Sequence, residues 1–229
     1  MSHRPSGSSP LPSPLAPALT GPSPQGPSLQ RPSLPPLVLL VRHGATAWSV
    51  EKRHTGRTDV PLTEEGIRQS EALAPLLRVW LDAAGADPIV FTSPLTRAIH
   101  TARLALPDHE ATVLDALIEY DYGRFEGLRG DEIRALDPTW DLFTVGSDGG
   151  ESATQVAARC DTFASELERS AAGRPVVAFT HGHLSRILTA RLLGLPGGAG
   201  AAFHNETASV AVLRASGQRF VLAAWNLRP

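Results

Sequence analysis

Short runs of apolar residues alternate with longer amphipathic segments over most of the chain. The apolar runs predict buried β-strands and lie at residues 37–41, 89–93 and 175–182. The segments between and after them carry apolar residues at helical spacing and predict helices at residues 63–83, 94–106, 151–169 and 183–194. Strands that alternate with helices are typical of an α/β fold, in which helices cover both faces of a parallel sheet.

The two ends of the chain depart from this pattern. Near the C-terminus, apolar stretches at residues 207–215 and 219–226 flank a Ser-Gly-Gln segment and predict an antiparallel hairpin. The first 36 residues are rich in proline, serine and glycine, and they carry too little apolar surface to form a core. We therefore expect a disordered tail at residues 1–36 and one folded domain at residues 37–229.

Composition narrows the class of protein. The chain has 229 residues, of which 42% are hydrophobic, and this is enough for one sizeable core. A formal net charge of −2 gives no broad basic surface, so we expect neither nucleic acid nor a membrane as a partner. The absence of a transmembrane run or a signal-peptide pattern favours a cytoplasmic protein. A single cysteine, Cys160, excludes an intramolecular disulfide and a multi-thiolate metal site.

Polar side chains follow each of the three apolar strands at the point where the strand ends. They are Arg42, His43 and Gly44 after the first strand, Arg97 after the second, and His181, Gly182 and His183 after the third. Because the C-terminal ends of parallel strands share one edge of the sheet with helix N-termini, we expect a compact cationic pocket there.

A phosphoryl group suits a pocket of this composition. Two arginines can hold its oxygens in fork geometry, and a neutral imidazole can act as a nucleophile toward phosphorus. A zinc site on His181 and His183 is the alternative, but the arginines would repel a cation and the two side chains diverge at a strand-to-helix junction. We therefore expect neither a metal nor a cofactor. A lone histidine at a strand end is usually only a hydrogen-bonded polar residue, and the repetition over three strands is what favours the phosphate site.

Hydrolysis of a phosphomonoester also needs a proton donor for the leaving oxygen. The acidic and aromatic stretch at residues 114–128 offers three carboxyl groups, on Glu119, Asp121 and Glu126. Their chemistry alone does not distinguish among them.

Six segments of the chain carry a resemblance to a known family. In order, they are VRHGATAW, TGRTDVPLTEEG, TSPLTRAIHTA, LIEYDYGRFEG, GGES and FTHGHLSR. Their order and approximate spacing are similar to those of the histidine phosphatase superfamily, also called phosphoglycerate mutase-like, over about residues 37–226. The resemblance implies a three-layer α/β/α sandwich with a mostly parallel central sheet, and metal-independent chemistry through a phosphohistidine.

The resemblance also implies a role for individual residues. His43 is similar in position to the family's nucleophile and Glu119 to its general acid, which later acts as the base for water. The residues implied to bind the phosphoryl group or line the substrate pocket are Arg42, Thr55, Gly56, Arg97, Tyr122, His181, Gly182 and His183. We expect His43 to be neutral, with a backbone carbonyl fixing its tautomer, and His181 to be protonated.

Two features favour a phosphatase over a mutase. The segment between the acidic loop and His181 is short, and Ser49 stands where the mutase-like pattern has asparagine. The chain resembles the branch that includes sedoheptulose bisphosphatase and broad acid phosphatases, and we expect a small phosphorylated metabolite, preferably a sugar phosphate or bisphosphate. A phosphoglycerate mutase, a ribazole-phosphate phosphatase and a non-catalytic phospho-ligand module are the alternatives.

Six further side chains are candidates for the pocket mouth: His54, Arg57, Tyr120, Tyr122, Arg124 and His204. Arg57 or Arg124 is available for a second anionic group, or both pair with nearby acids such as Asp59 and Glu126.

Overall fold

A computed structural model of the protein describes residues 34–229. Its strands are β1 (Leu37–Arg42), β2 (Ile89–Thr92), β3 (Ala111–Val113), β4 (Val176–Thr180), β5 (Val210–Ser216) and β6 (Arg219–Leu227). They form one six-stranded sheet in the order β3-β2-β4-β1-β5-β6. The pairs β3–β2, β2–β4 and β4–β1 are parallel, whereas β5 runs antiparallel to both β1 and β6. The mostly parallel sheet and the C-terminal hairpin are therefore confirmed.

Helices cover both faces of this sheet. They are α1 (Ala47–Val50), α2 (Glu64–Ala84), α3 (Thr96–Ala105), α4 (Gly130–Leu136), α5 (Ala153–Ser170) and α6 (Gly182–Leu192). Helices α2 and α3 pack together, as do α5 and α6, and the two pairs contribute to separate core clusters. The four predicted helices and five predicted strands lie within a few residues of their expected bounds.

Three short elements were not predicted, and each lacks a periodic apolar face. Strand β3 has only three residues, of which two are exposed. Helix α1 is a single turn, which begins at a capping box between Thr46 and Ser49. Helix α4 buries only Ile133. Elements of this length give too few apolar positions for a pattern to emerge.

The continuous apolar run of β1 is explained by burial on both of its faces. Val38 and Leu40 belong to the core cluster that includes residues of α5 and α6, whereas Leu37, Leu39 and Val41 belong to the cluster that includes residues of α2 and α3. A central parallel strand buried on both faces is expected to be apolar throughout rather than alternating.

The predicted tail lies outside the described residues as far as position 33. Just before β1, Leu34 packs against the core, and the Ala215 N–H donates to the Pro36 carbonyl oxygen at 3.2 Å. Within residues 34–229, no helix combines the length and the apolarity needed to cross a membrane.

Candidate active site

The polar ends of β1, β2 and β4 meet at one edge of the sheet, because these strands are neighbours and run parallel. Hydrogen bonds across this edge hold the first residue after two of the strands. The His43 N–H donates to the Thr180 carbonyl at 3.0 Å, and the Ser93 N–H donates to the Phe179 carbonyl at 3.0 Å. The predicted convergence of the three strand ends is therefore present in the structure.

A cavity of about 690 Å³ opens over this edge. The predicted site residues that line it are Arg42, His43, Thr55, Glu119, Tyr122, Gly182 and His183. Gly56, Arg97 and His181 do not line it. Arg97 and His181 are fully buried behind His43, and the imidazole rings of His43 and His181 meet edge to face with centroids 5.2 Å apart.

His43 has the tautomer that a nucleophile requires. Its Nδ1 lies 2.7 Å from the Gly44 carbonyl oxygen, and because a carbonyl only accepts, Nδ1 carries the proton. The Nε2 lone pair is therefore free. Burial and the positive charges of Arg97 and Arg42 hold the His43 pKa well below its ordinary value, so the ring is neutral at physiological pH.

Gly44 allows the loop after β1 to pack directly against α2. A Cβ at this position would lie 2.3 Å from the Gly66 carbonyl oxygen, which is far inside van der Waals contact. Glycine at this position therefore permits a backbone approach that any side chain would prevent, and it places His43 over the sheet edge.

Arg42 has an unused donor beside His43. One of its terminal nitrogens, Nη1, donates to the Asn205 carbonyl oxygen at 2.7 Å. Its Nε is buried and has no hydrogen-bond partner among the described residues. A buried charged donor without an acceptor is costly, and an anion in the cavity would satisfy it. Burial lowers the Arg42 pKa, mainly by desolvation.

Arg97 organises the loop that follows α1. Its guanidinium donates to the carbonyl oxygens of Thr55 at 3.1 Å, Gly56 at 2.9 Å and Thr58 at 2.8 Å. Its Nε–H donates to Nδ1 of His181 at 3.2 Å. Four of its five N–H donors are thus bonded within the protein, a structural role that the sequence did not indicate.

The protonation state of His181 differs from the predicted one. Because its Nδ1 accepts from Arg97, its proton lies on Nε2, which donates to Ser93 Oγ at 2.7 Å. Burial, with Arg97 as the largest charge effect, holds the His181 pKa well below its ordinary value. The prediction of a protonated His181 is therefore wrong for this structure, since a cation cannot accept a hydrogen bond from Arg97. Ser93 was missed, although it directly follows the second strand just as His43 follows the first.

Glu119 lies at the N-terminus of α6 and is almost fully buried. Its Oε1 accepts the backbone N–H groups of Tyr120 and Leu184, both at 2.9 Å, and its Oε2 accepts the His183 N–H at 3.0 Å. Oε2 therefore has one backbone partner where Oε1 has two. These bonds fix the orientation of the carboxyl group, which lines the cavity.

The two other candidate acids have structural partners and do not line the cavity. Asp121 accepts the Gly123 N–H at 2.9 Å. Glu126 accepts the N–H groups of Gly56 at 2.9 Å and Thr58 at 3.1 Å, and so it holds the same loop as Arg97. The geometry thus separates the three carboxyl groups that the sequence left open.

The two arginines considered for a second anionic group are paired away from the cavity. Arg57 Nε lies 3.7 Å from Asp121 Oδ2, and Arg57 Nη2 lies 3.5 Å from Glu151 Oε2. Arg124 Nε lies 3.1 Å from Asp148 Oδ2. Neither lines the cavity. The interpretation that these arginines pair with acids is therefore correct, but the expected partners are wrong. Asp59 instead accepts from the Thr96 N–H and hydroxyl.

The mouth of the cavity includes His54, Tyr122 and His204, as predicted, together with Lys52, which was not predicted. Lys52 and His204 line it, whereas Tyr120 is buried and donates its hydroxyl to the Leu142 carbonyl oxygen at 3.1 Å. Lys52 is exposed and has no acidic partner within 4.0 Å among the described residues. The sequence offered one signal for this position, since Lys52 is the only lysine in the chain.

His181 and His183 do not face a common point. His181 bonds to Arg97 and Ser93, whereas Nδ1 of His183 meets the Tyr122 hydroxyl. Within residues 34–229, no group of three or more histidine, cysteine, aspartate or glutamate side chains is arranged to hold a metal ion.

The fold and the site together define a class: an α/β/α sandwich with arginine and histidine side chains around a cavity at the C-terminal edge of its sheet. The sequence profile of the histidine phosphatase superfamily (branch 1) matches residues 38–228. The chain belongs to this superfamily.

Three curated relatives show the range of activities in similar proteins. An acid phosphatase from Mycobacterium tuberculosis is 42% identical over 76% of this chain and 84% of its own length. A 2,3-bisphosphoglycerate-dependent phosphoglycerate mutase from Beijerinckia indica is 36% identical over 69% of this chain and 82% of its own. Sedoheptulose 1,7-bisphosphatase from Saccharomyces cerevisiae is 32% identical over 71% of this chain and 69% of its own.

A solved structure of an open-reading-frame product from Mycobacterium tuberculosis has a similar fold. It superposes with a TM-score of 0.77 at 38% sequence identity, over 84% of this chain and 97% of that chain. The resemblance of the chain to this family and to its acid phosphatase and sedoheptulose bisphosphatase members is confirmed.

Proposed function

We propose that the protein is a metal-independent phosphomonoesterase that acts on a small phosphorylated metabolite through a phosphohistidine at His43. The observation that carries this proposal is the protonation state of His43. Its neutral ring donates the Nδ1 proton to the Gly44 carbonyl oxygen, so the Nε2 lone pair is free. The adjacent residue, Arg42, has a buried Nε donor with no partner among the described residues. The pocket thus pairs a nucleophile with an anion-binding group.

In the first step, the His43 Nε2 lone pair forms a bond to phosphorus as the bond from phosphorus to the leaving oxygen breaks. The proton of the Glu119 carboxyl group moves to that oxygen, so the product leaves as an alcohol. Oε2 is the more available oxygen for this transfer, because it has a single backbone partner. Arg42 stabilises the negative charge on the phosphoryl oxygens.

In the second step, water attacks the phosphohistidine. Its oxygen bonds to phosphorus, the bond from phosphorus to Nε2 breaks, and one water proton passes to the Glu119 carboxylate. Inorganic phosphate and neutral His43 result, and Glu119 regains its proton. Arg97 supports both steps from behind, since its charge adds to the effect of burial in keeping His43 neutral and its hydrogen bonds hold His181 and the loop at residues 55–58.

The substrate class that we propose is a sugar phosphate or bisphosphate. A cavity of about 690 Å³ can hold a metabolite of that size, and its wall beyond His43 carries polar groups on Tyr122, His183 and His54. Activity on a sugar bisphosphate is the named function of the yeast relative.

A mutase is the second candidate, because relatives with that name are similar to this chain. A mutase returns the phosphoryl group to its substrate, whereas a phosphatase releases it to water. Release of inorganic phosphate from 3-phosphoglycerate and from sugar phosphates therefore distinguishes the two. We expect stoichiometric release.

His43→Ala tests the proposal. We expect its kcat on p-nitrophenyl phosphate to fall by a factor on the order of 10⁴ or more, since removal of a nucleophile disables a catalytic unit. Quenching of the wild type in alkaline detergent with ³²P-labelled substrate should trap a label on the protein that is stable in base and lost in acid, and the variant should trap none. His100→Ala, at an exposed position on α3, is the matched control.

Substantial turnover by His43→Ala would contradict the covalent scheme. The wild type should also keep its activity in EDTA, and strong inhibition by the chelator would instead support a metal-dependent reaction.

A further inference from the structure

Two histidines stack on the cavity wall beyond the proposed nucleophile. His54 follows α1 and His183 lies in the first turn of α6, and both line the cavity. Their rings are nearly parallel, with an interplanar angle of 13° and centroids 5.6 Å apart. The mechanism proposed above uses neither imidazole.

The proton of His54 is fixed by the backbone. Its Nδ1 lies 3.0 Å from the Leu128 carbonyl oxygen, so Nδ1 carries the proton and donates. Burial lowers the His54 pKa, and the ring is neutral at physiological pH. Nε2 of His54 is therefore a hydrogen-bond acceptor, and it has no partner among the described residues.

The proton of His183 is fixed by Tyr122. The phenol is almost fully buried, and burial next to Glu119 holds the Tyr122 pKa well above its ordinary value, so the hydroxyl keeps its proton. Its hydrogen-bond partner among the described residues is Nδ1 of His183, and a buried hydroxyl proton goes to the available acceptor. Burial also keeps His183 neutral. Nε2 of His183 therefore carries the proton and is a donor.

Neighbouring aromatic rings hold the pair in place. Trp140 packs edge to face on His54 with centroids 5.4 Å apart, and Phe143 packs on His183 at 5.6 Å. Tyr122 contacts both histidine rings. The two imidazoles thus present one acceptor and one donor at fixed positions on a single wall.

We propose that the His54–His183 pair binds two hydroxyl groups on neighbouring carbons of the substrate's leaving group. One hydroxyl donates to Nε2 of His54 and the other accepts from Nε2 of His183. A vicinal diol supplies both functions at close spacing, so the pair selects polyhydroxylated phosphomonoesters over deoxygenated ones. This inference rests on the proposed phosphatase function and names the feature of the substrate that the same site recognises.

The test compares ribose 5-phosphate with 2-deoxyribose 5-phosphate, which lacks the vicinal diol. We expect the wild type to favour ribose 5-phosphate by about tenfold in kcat/KM, because loss of the 2-hydroxyl removes one of the two hydrogen bonds and leaves its imidazole partner unpaired. Replacement of the imidazole that binds the 2-hydroxyl, by His54→Phe or by His183→Phe, should reduce this ratio toward one. His54→Gln keeps a polar group near the Nε2 position and should retain part of the preference. His100→Phe, a matched substitution away from the cavity, should leave the ratio unchanged.

The ratio separates recognition from damage to the fold, because a general loss of activity lowers both rates together. An unchanged ratio in both His54→Phe and His183→Phe, or a wild-type ratio near one, would overturn the inference. Calorimetric binding of both sugar phosphates to His43→Ala gives a readout that needs no turnover. A tenfold difference in Kd there would support the His54–His183 pair even if the wild type hydrolysed neither compound, an outcome that would contradict only the proposed function.

Discussion

The cavity has two regions that are built differently. Its floor consists of Arg42, His43, Glu119 and, behind them, Arg97 and His181, and four of these five residues are at most 4% exposed. Its rim includes Lys52, Arg53, His204 and Glu206. The His204 and Glu206 side chains are 75% and 50% exposed, although His204 Nε2 lies 2.9 Å from Glu206 Oε1.

The difference lies in what holds each side chain. Floor residues are bonded mainly to backbone atoms of strands, loops and helix ends, so their positions are set by the fold. On the rim, Arg53 and Glu206 each contact another exposed side chain, and such contacts contribute little to stability, while Lys52 has no acidic partner among the described residues. We infer that the reaction depends on the floor, whereas the rim can change substrate preference without a change of fold.

After His43→Ala, the largest effect is expected from Glu119→Gln, which keeps the shape of a floor residue but removes its proton transfer. The kcat on an alkyl phosphate should fall by about 10²–10⁴. The loss on p-nitrophenyl phosphate should be smaller, because p-nitrophenolate leaves without protonation. Steady-state rates on both substrates measure this difference.

Glu126→Gln is the matched control for that experiment. It alters a carboxylate that holds the loop at residues 55–58, outside the cavity. Any loss of rate in this variant should be equal for the two leaving groups. Equal losses in Glu119→Gln would show that Glu119 is not the proton donor.

A matched pair of arginine substitutions compares the two regions directly. Arg97→Lys keeps the charge but loses the fork that bonds three carbonyl groups and His181. We expect kcat/KM to fall about a hundredfold, as for loss of one preorganised electrostatic donor. Arg53→Lys, on the rim, should change it less than threefold. Similar losses in the two variants, measured on p-nitrophenyl phosphate, would remove the distinction between floor and rim.

The floor was more predictable from the sequence than the rim. His43, Arg97 and His181 follow apolar strands, and a parallel sheet necessarily brings such strand ends together. The choice of Glu119 over Asp121 could not be predicted from residue chemistry, because it depends on which carboxyl group meets the N-terminus of α6.

The partners of loop residues were beyond prediction for a related reason. Arg57 pairs with Asp121 and Glu151, which lie far from it in sequence, and only the path of three loops brings them together. The neutral state of His181 likewise depends on its burial against Arg97, which strand order alone does not reveal. The positions of residues at strand ends can be predicted from the topology of the sheet. The partners of charged loop residues depend on the paths of the loops, which the sequence pattern does not give.

Acid should destabilise the floor and the wall beside it that contains His183. His43, His181 and His183 have pKa values well below the ordinary 6.5 in the folded protein, mainly because they are buried. Below about pH 6.5 the unfolded chain therefore binds more protons than the folded chain, so stability is lost as pH falls and is fully present above that value. Each histidine contributes up to about 1.4 kcal/mol per pH unit in this range.

Urea denaturation at pH 7.5 and pH 5.5 measures this effect as a lower unfolding free energy at the acidic pH. His204→Gln changes an exposed rim histidine and should show the same difference between the two pH values. An equal stability at both pH values in the wild type would contradict the assignment of neutral, buried histidines to the floor.

A small effect, confined to KM, is expected at Lys52, where the rim carries a charge in an unfavourable backbone conformation. Lys52 follows the C-cap of α1 with φ of 59°, a left-handed position that glycine adopts without strain. Lys52→Gly should therefore keep or raise the unfolding free energy, by up to about 1 kcal/mol.

Loss of the unpaired Lys52 ammonium group in the same variant should raise the KM for fructose 1,6-bisphosphate about three- to tenfold. We expect little change in kcat, because the ammonium group contacts the substrate equally in the ground and transition states. The KM for p-nitrophenyl phosphate, which has no second anionic group, is the internal control. A rise in both KM values by the same factor would place Lys52 with the floor and remove the separation between reaction and selectivity.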